Sequence, residues 1–241
     1  MAQQEIIDHT KEALSVLGDK KKSFWHRAKE FSLEIVIIVF AVTVSIWFHD
    51  INESRHQQKE VKEFLAGLKT DLLEDITEME SDKRSYVHAT RMVDYITHLK
   101  KGQPVHTDSL KHYGNNFFFS FTQLTVNSAR LEGFKSSGKI GLIENQELQH
   151  NILSFYQEDI HNLMISTERY NIQKEKLTDH VFENRKRVTD STSNLVKVMG
   201  TDEVHYRMQG LIVAQVVLQR YDLALEKARK IVTEIDKEYS E

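Results

Sequence analysis

The sequence predicts an all-α protein in which one N-terminal transmembrane helix leads into an extracytoplasmic bundle of long helices. Three observations predict it. Only one proline and nine glycines occur in 241 residues, so few positions can break a helix. A single long apolar run occupies residues 31–48. Beyond it, apolar residues recur every three or four positions in three separate stretches, the period of a buried helical stripe. A sandwich or an α/β fold would spend more Gly and Pro on turns.

The apolar run from Phe31 to Phe48 has 18 residues, 12 of them Leu, Ile, Val or Phe. As a helix it is about 27 Å long, against roughly 30 Å for a hydrocarbon core. Its apolar residues favour insertion by at most ~4–7 kcal/mol, while Glu34, within a turn of one end, opposes it by less. Insertion wins. Trp25 and Trp47 stand where interfacial belts are expected. Lys20, Lys21, Lys22, Arg27 and Lys29 precede the run, whereas only Arg55 falls in the first ten residues after it. A buried core helix would not need such flanks. A cleaved signal peptide needs a small-x-small site, and Trp47-Phe48-His49-Asp50 offers none. The positive-inside rule then makes residues 1–30 a short cytoplasmic tail and puts residues 49–241 in the periplasm, outside a bacterial inner membrane. In the tail, Ile6, Ile7, Leu14 and Leu17 have helical spacing, fitting either a helix lying on the lipid surface or a frayed leader.

Charge and cysteine content exclude several function classes. The absence of cysteine removes disulfide frameworks, thiolate zinc sites and cysteine nucleophiles. The net charge is −4, and residues 1–48 balance six basic against six acidic side chains. Signs alternate along the chain, which describes a solvated helical surface. Nucleic-acid binding would need a concentrated positive field.

The domain beyond the run reads as three long helices and one shorter one. From Asp50 to Lys101 the stripe is Val61, Leu65, Leu68, Leu72, Ile76, Met79, Tyr86, Ala89, Val93 and Ile96. This stretch is long enough, at about 78 Å, to extend the span as a stalk before Gly102-Gln103-Pro104 ends it. Thr107 or Asp108 caps a short helix ending near Gly114. A Phe-rich run follows, then a helix through about Lys135, stopped by Ser136-Ser137-Gly138 with Gly left-handed. Asn145 caps the next helix, which carries Leu148, Ile152, Tyr156, Ile160, Leu163, Tyr170, Leu177 and Val181 to about Arg187. Residues 189–202 read as a connection with room for one turn of helix. The last helix runs from Asp202 to about Glu238 on Met208, Leu211, Ile212, Val216, Leu218, Leu225, Ile231, Val232 and Ile235. Stripes of this kind must be buried against one another, hence a bundle.

The segment Ser32-Leu33-Glu34-Ile35-Val36-Ile37-Ile38-Val39 through Trp47, the exit Asn52-Glu53-Ser54-Arg55 and Leu68-Lys69-Thr70-Asp71-Leu72-Leu73 resemble a family of uncharacterised single-span membrane proteins common in Bacteroidota. Phe134-Lys135-Ser136-Ser137-Gly138-Lys139-Ile140-Gly141-Leu142, continuing through Leu148 to Tyr156, resembles it too. The likeness covers most of residues 30–160, although Trp47 and the Asn52-Glu53 pair stand further apart here than in the family pattern. It implies the architecture above and no activity, because the family's own function is unassigned.

Candidate sites are few. Glu34 is an ionisable group inside the span: it joins a neighbouring helix, snorkels to the cytoplasmic interface beside Arg27 or Lys29, or lines an ion path. Phe117, Phe118, Phe119 and Phe121 form either a lip for a ligand or partner, or a plug closing the bundle under a loop. Glu-x-x-His occurs at Glu53/His56, Glu147/His150 and Glu158/His161, the ligand spacing of di-iron bundles. His150 and His161 share one helix, however, so these read as surface residues. No catalytic set converges in the sequence, and no cofactor or metal is expected. The leading expectation is a non-catalytic scaffold or interaction protein of the bacterial envelope. Its partners would be membrane lipid and either further copies of itself or an envelope protein. The alternatives are a ligand-sensing helical bundle that signals through a partner, and, less favoured, a metal-binding helical-bundle enzyme.

Overall fold

The structure, a computed structural model, describes residues 2–114, 117–189 and 192–239, with the side chains of residues 1–28 and 30 outside that description. Trp25 and the four apolar tail positions therefore lie outside the described side chains. The chain divides into two compact units, Met1–Lys59 and Glu60–Glu241, and the boundary falls within helix α1, Ala2–Thr97. Among the described residues there is no strand, only an isolated antiparallel bridge between Arg187 and Ser193.

In the first unit, α1 contains an 18-residue window of mean hydropathy 2.3, none of it buried. One helix is thus long and apolar enough to span a membrane. Two of its hydroxyls are satisfied within the helix: Thr43 donates to the Val39 carbonyl and Ser45 to the Ala41 carbonyl, both at 2.8 Å. Polar atoms bonded in this way leave little for lipid to penalise.

The second unit is a bundle. From Val61 onward α1 buries Val61, Leu65, Leu68, Leu72, Met79, Tyr86, Val93 and Ile96, so this stretch is the bundle's first helix and not a free stalk. The expected stripe holds except at Ile76 and Ala89, which are half-buried, and Asp75 takes the fully buried position beside Ile76. Helix α2, Thr107–Gly114, occupies the expected residues. The helix expected through Lys135 is much shorter. Residues 120–127 are extended, Ser128 turns into the right-handed helical region, and α3 covers only Ala129–Ser136. Gly138, with φ of 74°, supplies the left-handed stop after Ser137.

Asn145 caps α4, Gln146–Ser154, by accepting from the Leu148 N–H at 3.0 Å. A π-helical turn, Phe155–Asp159, then joins α4 to α5, Ile160–Asn184. The sequence reads as one helix here. The wider turn moves the buried face from Phe155 to Ile160, five residues on, and so keeps the stripe aimed inward. Helix α6 is Leu195–Met199, and α7, Asp202–Gly210, is capped by Thr201. A 3-10 turn, Leu211–Val213, leads into α8, Ala214–Tyr239. That turn re-phases the last helix: Ala214, Val217, Tyr221, Ala224 and Ala228 are buried, whereas Ile212 and Val216, expected in the stripe, are exposed.

Side-chain pairs fix the directions. Lys69 bonds Asp236 at 2.5 Å, Arg229 bonds Glu80 at 2.5 Å, and Lys83 bonds Asp222, so α8 runs antiparallel to α1. Asn145, at the cap of α4, bonds Glu238 and Asn151 bonds Glu234, so α8 runs antiparallel to α4 in the same way. Between α1 and α4 the chain must return along the bundle. Tyr86 meets Thr122, Asp75 meets Asn127, Asp71 meets Arg130, and Phe64 stacks on Phe134 with ring centroids 3.9 Å apart. The bundle is therefore up-down-up-down, with a second leg that is largely extended.

Candidate functional site

The extended return segment crosses α1 and α5, and its composition explains why it is not helical. Ser120, Thr122, Thr125, Val126, Asn127 and Ser128 are β-branched or compete for backbone hydrogen bonds. Thr122, Leu124, Val126 and Ser128 are more buried than the residues between them, the two-residue period of an extended chain. With no neighbouring strand, side chains satisfy its backbone. Glu78 accepts from the Thr125 N–H at 3.0 Å, and Asp75 Oδ1 accepts from the Asn127 N–H at 3.0 Å and from its Nδ2 at 2.9 Å. Asn171 Nδ2 and Tyr86 OH donate to the Thr122 carbonyl at 3.1 and 3.4 Å. Lys174 Nζ donates to the Ser120 carbonyl.

Two charged groups here are buried within the core. Lys174 is 3% exposed, and among the described residues no carboxylate pairs with it. Its ammonium instead lies 5.0 Å from the ring centroids of Phe117 and Phe121 and 6.0 Å from that of Tyr170. Burial pushes its pKa down to about 8. Asp75 is fully buried, and burial pushes its carboxyl up to about 6, partly countered by the bonds from Asn127. Asp75 Oδ2 and Tyr170 OH have no hydrogen-bond partner among the described residues. Burial also raises Tyr86, Tyr170 and Tyr221, with the Asp82 carboxylate accepting from Tyr221 OH at 3.1 Å.

The Phe cluster divides. Phe117 and Phe118 are buried, their rings edge-on at 5.2 Å, and plug the core. Phe119 is 73% exposed and Phe121 is 50% exposed. Phe119 packs against Phe182 of α5 with centroids 5.5 Å apart. Together with Phe118, Leu110 and Lys111 of α2, and Arg185, they line a cavity of about 850 Å³. No family model, curated protein or solved structure matches the chain. The cavity's chemistry is therefore read from its walls alone: aromatic and aliphatic inside, cationic at the edge.

The remaining sequence candidates stand apart from this cavity. Glu34 and Trp47 lie in the first unit, both exposed, and Trp47 contacts Phe48 edge-on at 5.3 Å. The Glu-x-x-His residues are all on the surface, with Glu147 bonded to Lys230 at 2.8 Å. No group of three or more metal-ligating side chains gathers among the described residues. Asp75 and Lys174 escaped the sequence reading although a signal existed. Each sits at a core position of its stripe, three residues after Leu72 and three before Leu177.

Proposed function

We propose that this chain is a non-catalytic, membrane-anchored interaction or scaffold protein of the bacterial envelope that associates with further copies of itself or with an envelope partner. Residues 31–48 cross the inner membrane, residues 1–30 stay in the cytoplasm, and the bundle lies in the periplasm. The observation that carries this reading is the apolar window of α1, none of whose side chains the protein itself buries. Lipid or other spans must cover it. The five cations before it support the orientation. Glu34 supports self-association, since an ionisable group in a span is stabilised by a partner helix.

Light scattering on wild type, Glu34→Ala and Glu34→Gln in detergent tests the association. Interhelical hydrogen bonds in membranes average about 0.6 kcal/mol, so Glu34→Ala should lower oligomer content partly and Glu34→Gln should preserve it. Identical size in all three proteins would remove Glu34 from the argument. The cavity beside Phe119 favours a second reading, a ligand-sensing bundle that passes its signal to a partner.

A further inference from the structure

We propose that the cavity between α2, Phe118-Phe119 and the end of α5 is a binding site for a single-chain amphipathic carboxylate, a fatty acid. Its volume of about 850 Å³ lies within the range of roughly 300–1,000 Å³ usual for small-molecule sites. Leu110 and Phe118 form a buried floor. Phe119 and Phe182 form a wall of two rings in contact yet left 73% and 37% exposed. Apolar area of this kind, kept open beside a cavity, fits an alkyl chain.

Charge decides the other end of the ligand. Lys111 and Arg185 line the cavity, and none of its lining residues among those described is a carboxylate. Neither cation has an ion-pair partner among the described residues, and Arg185 spends only its Nε, on Ser193 Oγ at 3.3 Å. The rest of its guanidinium fork matches the geometry of a carboxylate. A second apolar-walled cavity, beside Phe121 and Met164, is lined by Glu168 and Glu175 and would repel such a head group. In the groove between α1 and α8, Lys83 and Arg229 are already paired with Asp222 and Glu80, and although Arg84 and Arg91 also line it, so does Glu226, so three carboxylates face any anionic head group there. Of these three, the cavity at Phe119 alone joins an open apolar wall to cations with no carboxylate among its described lining residues.

This site supplies the ligand class for the sensing reading. It does not depend on how the signal is passed on: a fatty acid that binds without altering partner contacts would leave the site standing and remove the sensing role. The test places the full chain in phosphatidylcholine nanodiscs with a trace of diazirine-bearing palmitic acid, followed by photolysis and peptide mapping. Labelling of residues 31–48 from the bilayer is the internal standard. The expected result is a second labelled set on the peptides carrying Leu110, Phe119 and Phe182, competed by excess palmitic acid and not by hexadecanol. Lys111→Gln/Arg185→Gln should reduce that set at least fivefold relative to the standard. Labelling confined to residues 31–48 would overturn the site. Equal competition by hexadecanol would overturn the carboxylate assignment in the wild-type protein, whatever the variant does.

Discussion

Lys174 is the residue where the physical balance is easiest to measure. Folding removes its ammonium from water, and rings and one carbonyl replace the lost hydration incompletely, which is why its pKa falls to about 8. The charged form is penalised in the folded state. The penalty is fully present below pH 8 and is relieved as pH rises toward 10.5, so this residue makes the protein more stable across that window. Lys174→Met keeps the length and removes the charge. It should stabilise fragment 60–241 by about 1–3 kcal/mol at pH 7 and flatten the alkaline rise. Denaturant melts at pH 7 and pH 10 check both. A loss of stability at pH 7 would mean that the ring and carbonyl contacts outweigh burial. Asp75 acts on the other side of neutrality. Its raised pKa penalises the ionised form, so its contribution is lost as pH rises from about 4 to 6, the reverse of a salt-bridged carboxylate. Glu78 and Asp71 add to that penalty by like-charge repulsion. Both residues were hidden in the sequence because a hydrophobic stripe is read from its apolar members, and a charge at a core position is passed over.

At the scale of elements, local chemistry was legible and long-range phasing was not. Thr107–Gly114, the Asn145 cap and the Gly138 stop follow from residues within a few positions of each boundary. The π turn at Phe155 and the 3-10 turn at Leu211 do not, because each corrects the alignment of one stripe with a helix distant in sequence. The return segment is an intermediate case. Its two-residue alternation from Thr122 to Ser128 is present in the sequence, but the stretch between the Phe-rich run and Lys135 reads as a helix because no Gly or Pro breaks it before Gly133. Helix α1 gives the sharpest packing test at this scale. Leu72 is fully buried, so Leu72→Ala should destabilise fragment 60–241 by ~2–5 kcal/mol in a thermal or denaturant melt. An unchanged melt would show that this face of α1 is a docking surface and not core.

For the whole molecule, the account rests on two units of opposite character. Residues 60–241 bury their own apolar stripes, whereas none of residues 31–48 is buried by the protein. Composition, breaker count and stripe period made this division readable from the sequence, because the hydrophobic effect acts on area and not on detailed geometry. The Phe119 cavity was less legible. Phe117 through Phe121 marked the place, but which rings turn outward depends on α2 and α5 closing around them. The membrane claim is tested most directly by topology. Fusing an enzyme active only after export to Glu241, and separately a reporter active only in the cytoplasm ahead of Met1, measures both ends of the chain at once. The account predicts that both fusions are active and fractionate with membranes, and that Lys20, Lys21 and Lys22 changed together to Gln weaken the orientation without preventing insertion. A Glu241 fusion inactive for export, or protein recovered in the soluble fraction, would contradict it.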